Sequence, residues 1–157
     1  MRRQILCAIC TASGVWHQNS NDKGASTTPT PVHDIRTLTL HGQSGSGNTT
    51  LLEKLLATAG TIGAAGSVDK GDTVSDFDPQ EKALGHSLNA SLAHLEWAEH
   101  WVNILDTPGL PDFLGRALAT LPAVETAVVV INATAGVETL TRKVMEQIGR
   151  ASCRERV

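Results

Sequence analysis

Apolar and polar positions alternate through 35–41, with Leu38 and Leu40 on one side, and the run ends in a glycine-dense stretch. That period of two predicts a strand. Just beyond, Leu51, Leu52, Leu55, Leu56 and Ala59 recur at three- and four-residue spacing, which predicts a helix with Gly60 as its stop. Residues 87–97 and 100–105 read as two strands of an antiparallel hairpin turning at Ala98 and Glu99, with Leu88, Ala90 and Leu92 marking one face. Trp97 and Trp101 flank that turn and are expected to pack across it. Leu114, Ala117, Leu118 and Leu121 outline a helical face ended by Pro122, 127–131 is a valine-rich buried strand, and Val137, Leu140 and Val144 begin one more helix. Strand and helix keep alternating. The fold class is therefore α/β, a mixed and mostly parallel sheet flanked by helices, with ligands expected at the carboxyl ends of strands.

Two stretches carry no sustained period. Residues 1–34, with a polar run of Asn, Ser, Thr, Gly and Pro over 19–31, read as a flexible or non-native lead-in. Residues 61–78 mix glycines, small side chains and acids over a length unusual for a connector, which suits either a functional loop or a plain surface loop.

The chemistry concentrates where strands end. Gly42, Gln43, Ser44, Gly45, Ser46, Gly47, Asn48 and Thr49, followed by Thr50, nearly match the phosphate-loop pattern G-x-x-x-x-G-K-[ST] between a strand and a helix. Glycines let backbone N–H groups turn toward phosphate oxygens, and the helix N-terminus adds a positive dipole end. One position departs: Asn48, neutral and short, stands where the pattern has lysine. The second motif is Asp106-Thr107-Pro108-Gly109, directly after an apolar strand. Asp-x-x-Gly is a weak signal alone. In this order, the two motifs suit a nucleoside triphosphatase in which Thr49 binds Mg²⁺, Asp106 holds it through water and the Gly109 N–H meets the γ-phosphate.

Composition narrows the picture slightly. With 157 residues and 41% hydrophobic content, one domain with a proper core is expected. A formal charge of −3 gives no push toward nucleic acid, so no direct DNA binding is expected. No apolar run approaches the ~20 residues of a membrane helix, and the expected location is cytoplasmic. Arg2 and Arg3 precede a short apolar stretch, too brief and without a small-residue cleavage site to act as a secretory signal. Cys7 and Cys10 have C-x-x-C spacing, but His17 and His33 are badly placed to complete four ligands, so free thiols are expected. His86, His94 and His100 match no common metal spacing.

Beyond the two motifs, the chain carries Asp34-Ile35-Arg36-Thr37, Gly66-Ser67-Val68, Asp76-Phe77-Asp78-Pro79-Gln80-Glu81, Gly85-His86-Ser87-Leu88, Asp112-Phe113 and Ala135-Gly136-Val137-Glu138. In this order it resembles the first part of the GTP-binding domain of bacterial elongation factor G, and more closely the elongation-factor-G-like paralogues. The resemblance implies a P-loop GTPase domain over 35–147, truncated before its last strands. It implies GTP/GDP and Mg²⁺ as ligands, and a parent protein that hydrolyses GTP on the ribosome. It makes Gly42 to Thr49 the phosphate loop, Asp106 to Gly109 the second switch, and Ser87 the counterpart of the Mg²⁺-binding threonine of the first switch, so that the metal set is Thr49, Ser87 and Asp106.

Three departures from that family pattern bear on activity. Asn48 replaces the loop lysine, Leu110 stands where the family has its water-positioning histidine, and neither the Asn-Lys-x-Asp nor the Ser-Ala-[KL] guanine motif occurs in the sequence. They motivate an alternative, a catalytically dead P-loop binding module, with an ATP-directed P-loop enzyme ranked below it. Residues 148–157 resemble a translated sequencing adapter and are taken as an artefactual tail. If the chain stops there, the strand at 127–131 is expected to lack its next neighbour and to leave an aggregation-prone valine edge.

Overall fold

The computed structural model describes residues 5–10, 31–75 and 78–154. Asp76 and Phe77, which contribute to the resemblance, lie outside the described residues, as do 1–4 and 11–30 of the lead-in.

A five-stranded sheet in the order β1-β5-β2-β4-β3 organises the domain. Its centre is β2 (Ile35–Gly42), hydrogen-bonded in parallel to β4 (His100–Asp106) on one side and to β5 (Thr126–Asn132) on the other. An antiparallel strand closes each edge: β3 (Ser91–Trp97) on β4 and β1 (Ile5–Cys10) on β5. The sheet is mixed as expected, but its parallel part is limited to the three inner strands.

Alternation along β2 sends its side chains to two cores. Leu38 and Leu40 join Val102, Ile104, Val128 and Val130 beneath Leu52 and Leu56 of α1 (Asn48–Thr58). His41 and Thr39 face the other side, where the Thr39 hydroxyl meets the Thr120 hydroxyl at 3.1 Å. The amphipathic α4 (Thr139–Arg154) packs against β2 and β5, burying Leu140 and Val144.

Several expectations need correction. Strand β3 begins at Ser91, not at 87, and its buried residues are Ala93 and Leu95, while Leu92 is 69% exposed. A shift of one residue along a strand exchanges its faces, which is how the face marked by Leu92 was misassigned. The turn at Ala98-Glu99 is right, both residues having positive φ as a two-residue hairpin turn requires. Trp101 packs across the hairpin as expected, stacking on His94 of β3 with centroids 4.7 Å apart, while Trp97 is 41% exposed. The helix expected at 114–121 splits into α3 (Leu114–Leu118) and a 3-10 turn at Leu121–Ala123, as Pro122 removes a backbone donor.

Among the described residues, one α-helix and one strand went unread. α2 (Pro79–Leu84) is capped by the Asp78 carboxylate accepting from the Gln80 N–H, opened by proline at its first position and closed by Gly85 at φ 67°. β1 lies within the expected lead-in and pairs with β5 from Ile5↔Asn132 to Cys10↔Ala127. The edge expected to be bare is therefore occupied. Helix α4 continues to Arg154, into the stretch taken as a tail.

Candidate functional site

The chain leaves β2 at Gly42, turns through 43–47 and enters α1 at Asn48. Gly45 (φ 77°) and Gly47 (φ 101°) supply left-handed positions that other residues rarely adopt. Gly42 meets a different demand: a Cβ there would sit 2.8 Å from the Val130 carbonyl oxygen and press on the Ser46 hydroxyl. Inside the loop the Ser46 N–H donates to the Gln43 carbonyl at 2.9 Å, and the helix begins with the Leu51 N–H donating to the Gly47 carbonyl at 2.8 Å. No acidic residue of α1 itself occupies its first turn.

The second motif lies directly against this loop. The Thr49 hydroxyl donates to Asp106 Oδ2 at 2.7 Å, joining the start of α1 to the end of β4. Asp106 is 2% exposed. The Thr107 hydroxyl and N–H both donate to the Leu40 carbonyl, at 2.7 and 3.3 Å. The Ser44 N–H donates to the Gly109 carbonyl at 2.8 Å. A Cβ on Gly109 would stand 2.6 Å from the Ser44 nitrogen and 2.7 Å from the Gly42 carbonyl oxygen, so only glycine permits the approach.

Asn48 is buried, and the Ser46 hydroxyl donates to its side-chain oxygen at 3.2 Å. Its amide is folded back over Gly42. None of the side chains from Gly42 to Thr50 carries a charge, so the loop offers phosphate only N–H groups, hydroxyls and the helix dipole. Thr49 and Asp106 present a hydroxyl and a carboxylate, hard oxygen donors of the kind Mg²⁺ accepts, and the pair fits that ion. Ser87 sits half-buried on the loop before β3, four residues ahead of Ser91, the register partner of Asp106. Leu110 is half-buried and precedes the 3-10 turn at Pro111–Phe113, where a hydrocarbon side chain has no means to orient water.

Some residues that shape the site were not read from the sequence. The Asn132 amide donates to the Gly45 carbonyl at 3.3 Å, and the Gln43 amide donates to Glu138, so β5 and the approach to α4 brace the loop. Glu53 of α1, 1% exposed, accepts the Gly66 and Val74 N–H groups at 2.9 and 2.6 Å and pins the long segment after α1. Buried Glu81 likewise accepts from the Leu88 and Asn89 N–H groups at 2.8 and 3.1 Å. His41 is 1% exposed with Nδ1 3.2 Å from the Thr107 hydroxyl, and burial lowers its pKa to about 4. Among the described residues no cluster of His, Cys, Asp or Glu forms a metal site, and no helix is long and apolar enough to cross a membrane.

Comparison with known proteins gives a consistent result. Residues 33–157 match the family model described as elongation factor Tu GTP binding domain. Elongation factor G 2 of Streptomyces coelicolor is 38% identical over 120 residues, which make up 76% of this chain and 18% of that protein. The mitochondrial ribosome-releasing factor 2 of Candida dubliniensis is 39% identical over 102 residues, 65% of this chain and 13% of that protein. A crystal structure of a Thermus thermophilus protein superposes with a TM-score of 0.71 at 37% identity, covering 74% of this chain and 18% of the other. A bacterial selenocysteine-specific elongation factor shares the fold, with a TM-score of 0.57 at 21% identity. The chain thus spans less than a fifth of the length of these curated relatives.

Proposed function

The chain belongs to the elongation factor Tu GTP-binding domain family, and from that membership we propose that it is the phosphate- and Mg²⁺-binding portion of an elongation-factor-G-like translational GTPase. In this reading, the backbone from Gly42 to Thr50 surrounds the phosphates of GTP or GDP. Thr49 and Asp106 would hold Mg²⁺, and Ser87 would join them when the γ-phosphate is present. Bound there, Mg²⁺ would neutralise charge between the β- and γ-phosphates.

The observation that carries the reading is the Thr49–Asp106 hydrogen bond at 2.7 Å beneath a loop that packs backbone to backbone on Gly109. Both strand-end motifs converge on one spot, as a nucleotide spanning loop and switch requires. The Gly109 N–H is assigned to the γ-phosphate, and loss of that phosphate would release the segment after β4. With Leu110 at the position following the motif, water activation does not come from that side chain, and any hydrolysis by the parent draws on other groups. The parent is placed on the ribosome, in the cytoplasm or in an organelle with its own translation. The mitochondrial ribosome-releasing factor 2 of Candida dubliniensis supports the ribosome and an organelle by name, and elongation factor G 2 of Streptomyces coelicolor supports a part in elongation.

Thr49→Ala tests the assignment. Titration with a fluorescent GDP should show saturable binding strengthened by Mg²⁺ in the parent sequence, and the variant should lose the Mg²⁺ dependence and about tenfold in affinity. Equal Mg²⁺ dependence in both proteins would remove Thr49 from the metal site.

A further inference from the structure

The loop at 87–89 is held from two sides. Glu81, on α2, accepts its backbone N–H groups. Arg116, on α3, reaches it from the opposite motif: its Nη1 donates to the Leu88 carbonyl at 2.8 Å and to the Asn89 side-chain oxygen at 2.6 Å. The same guanidinium lies over the Phe113 ring, 5.4 Å from its centroid. Phe113 ends the 3-10 turn that follows Gly109 and Leu110. One side chain thus joins the segment next to Ser87 to the segment next to Gly109.

We propose that Arg116 is a positioning residue that couples these two segments, holding Ser87 where it meets the metal when the γ-phosphate is bound. This rests on the proposed nucleotide site, because it takes Ser87 and Gly109 as its γ-phosphate-dependent parts. The argument is geometric. Leu88 and Asn89 follow Ser87 immediately, so fixing their carbonyl and side chain on one side and their N–H groups on the other fixes the direction in which the chain presents Ser87. Arginine suits the task because its planar fork bonds to two acceptors while its face rests on an aromatic ring. Lysine would offer a single point charge in place of the fork. Arg116 is solvent-exposed, whereas Glu81 is buried. The arginine is therefore the member of the pair whose removal loosens the loop without opening the core, and it is the adjustable side of the clamp.

The consequence is specific to the γ-phosphate. GDP engages the phosphate loop, which Arg116 does not touch, whereas GTP also engages both segments that Arg116 joins. Loosening the connection should cost GTP binding and leave GDP binding unchanged.

The test uses the full chain with Arg116→Ala and Arg116→Lys, read in two ways. Without nucleotide, hydrogen exchange of the 87–89 amides should rise about tenfold in Arg116→Ala and less in Arg116→Lys, while exchange in β4 and the thermal midpoint stay as in the parent. With Mg²⁺, the affinity ratio between a non-hydrolysable GTP analogue and GDP should fall about tenfold in Arg116→Ala at constant GDP affinity. Unchanged exchange at 87–89 would overturn the clamp, and faster exchange with an unchanged ratio would overturn its role in sensing the γ-phosphate. If the parent sequence took up neither nucleotide, the proposed function would fail and the positioning role with it. Faster exchange would then still report a structural tie, so the two failures are told apart.

Discussion

His41 occupies a strand position that an apolar side chain would fill at less cost, one residue before the phosphate loop. Its burial disfavours the imidazolium and brings its pKa from 6.5 to about 4. Between those values the unfolded chain binds a proton that the folded chain does not, so stability falls as pH drops through that window. Between pH 7 and pH 5 this linkage removes about 2 kcal/mol. Unfolding free energies from urea titrations at the two pH values should diverge by that amount more in the parent sequence than in His41→Val; equal divergence would show that His41 titrates in the fold as it does in water. Nothing in the sequence marks this residue, because burial is set by the strands and helices around it. The same holds for Glu53 and Glu81: each looks like an ordinary helix-surface acid until the distant N–H groups it accepts are brought to it. Asn48, Leu110 and the glycines were legible, because a motif fixes both their spacing and what each position must supply.

Among the elements, those with a strong period were read and those shaped by local caps or long-range pairing were not. β2, α1, β5 and the hairpin turn follow from apolar spacing and from two adjacent positive-φ positions. α2 is only six residues long, too short to show a period, and its real signals are Asp78, Pro79 and Gly85. β1 has little to distinguish it except six residues that match the open edge of β5 in register. That pairing changes the expected fate of the sheet, because β5 would otherwise present a row of unpaired backbone groups. Adjacent residues of a strand point their N–H groups to opposite sides, so prolines at both positions 7 and 8 must remove at least one donor directed at β5. The double variant Cys7→Pro, Ala8→Pro should therefore sediment as larger species at concentrations where the parent sequence is monomeric. A monomeric double variant would mean that β1 does not protect this edge.

Taken whole, the domain is a three-stranded parallel centre with the phosphate loop at the end of its middle strand and the Asp-x-x-Gly segment at the end of the neighbouring one. This convergence was legible from the order of the motifs, since both follow strands that the parallel arrangement aligns at their carboxyl ends. What the order of motifs did not convey is how tightly the two are stitched: separate hydrogen bonds join Ser44 to Gly109, Thr107 to Leu40 and Thr49 to Asp106. In the proposed reading this is a nucleotide site from which one charge is missing. Asn48 folds into the loop where a lysine would extend toward phosphate, and a charge-assisted contact of that kind is worth about 1.5–3 kcal/mol. The most direct measurement is calorimetric titration of GDP, with Mg²⁺, into the parent sequence and into Asn48→Lys. Weak, Mg²⁺-dependent binding that tightens by about 10- to 100-fold in the variant is expected. Failure of the lysine variant to bind GDP any better than the parent sequence would contradict the assignment of this loop as a phosphate site.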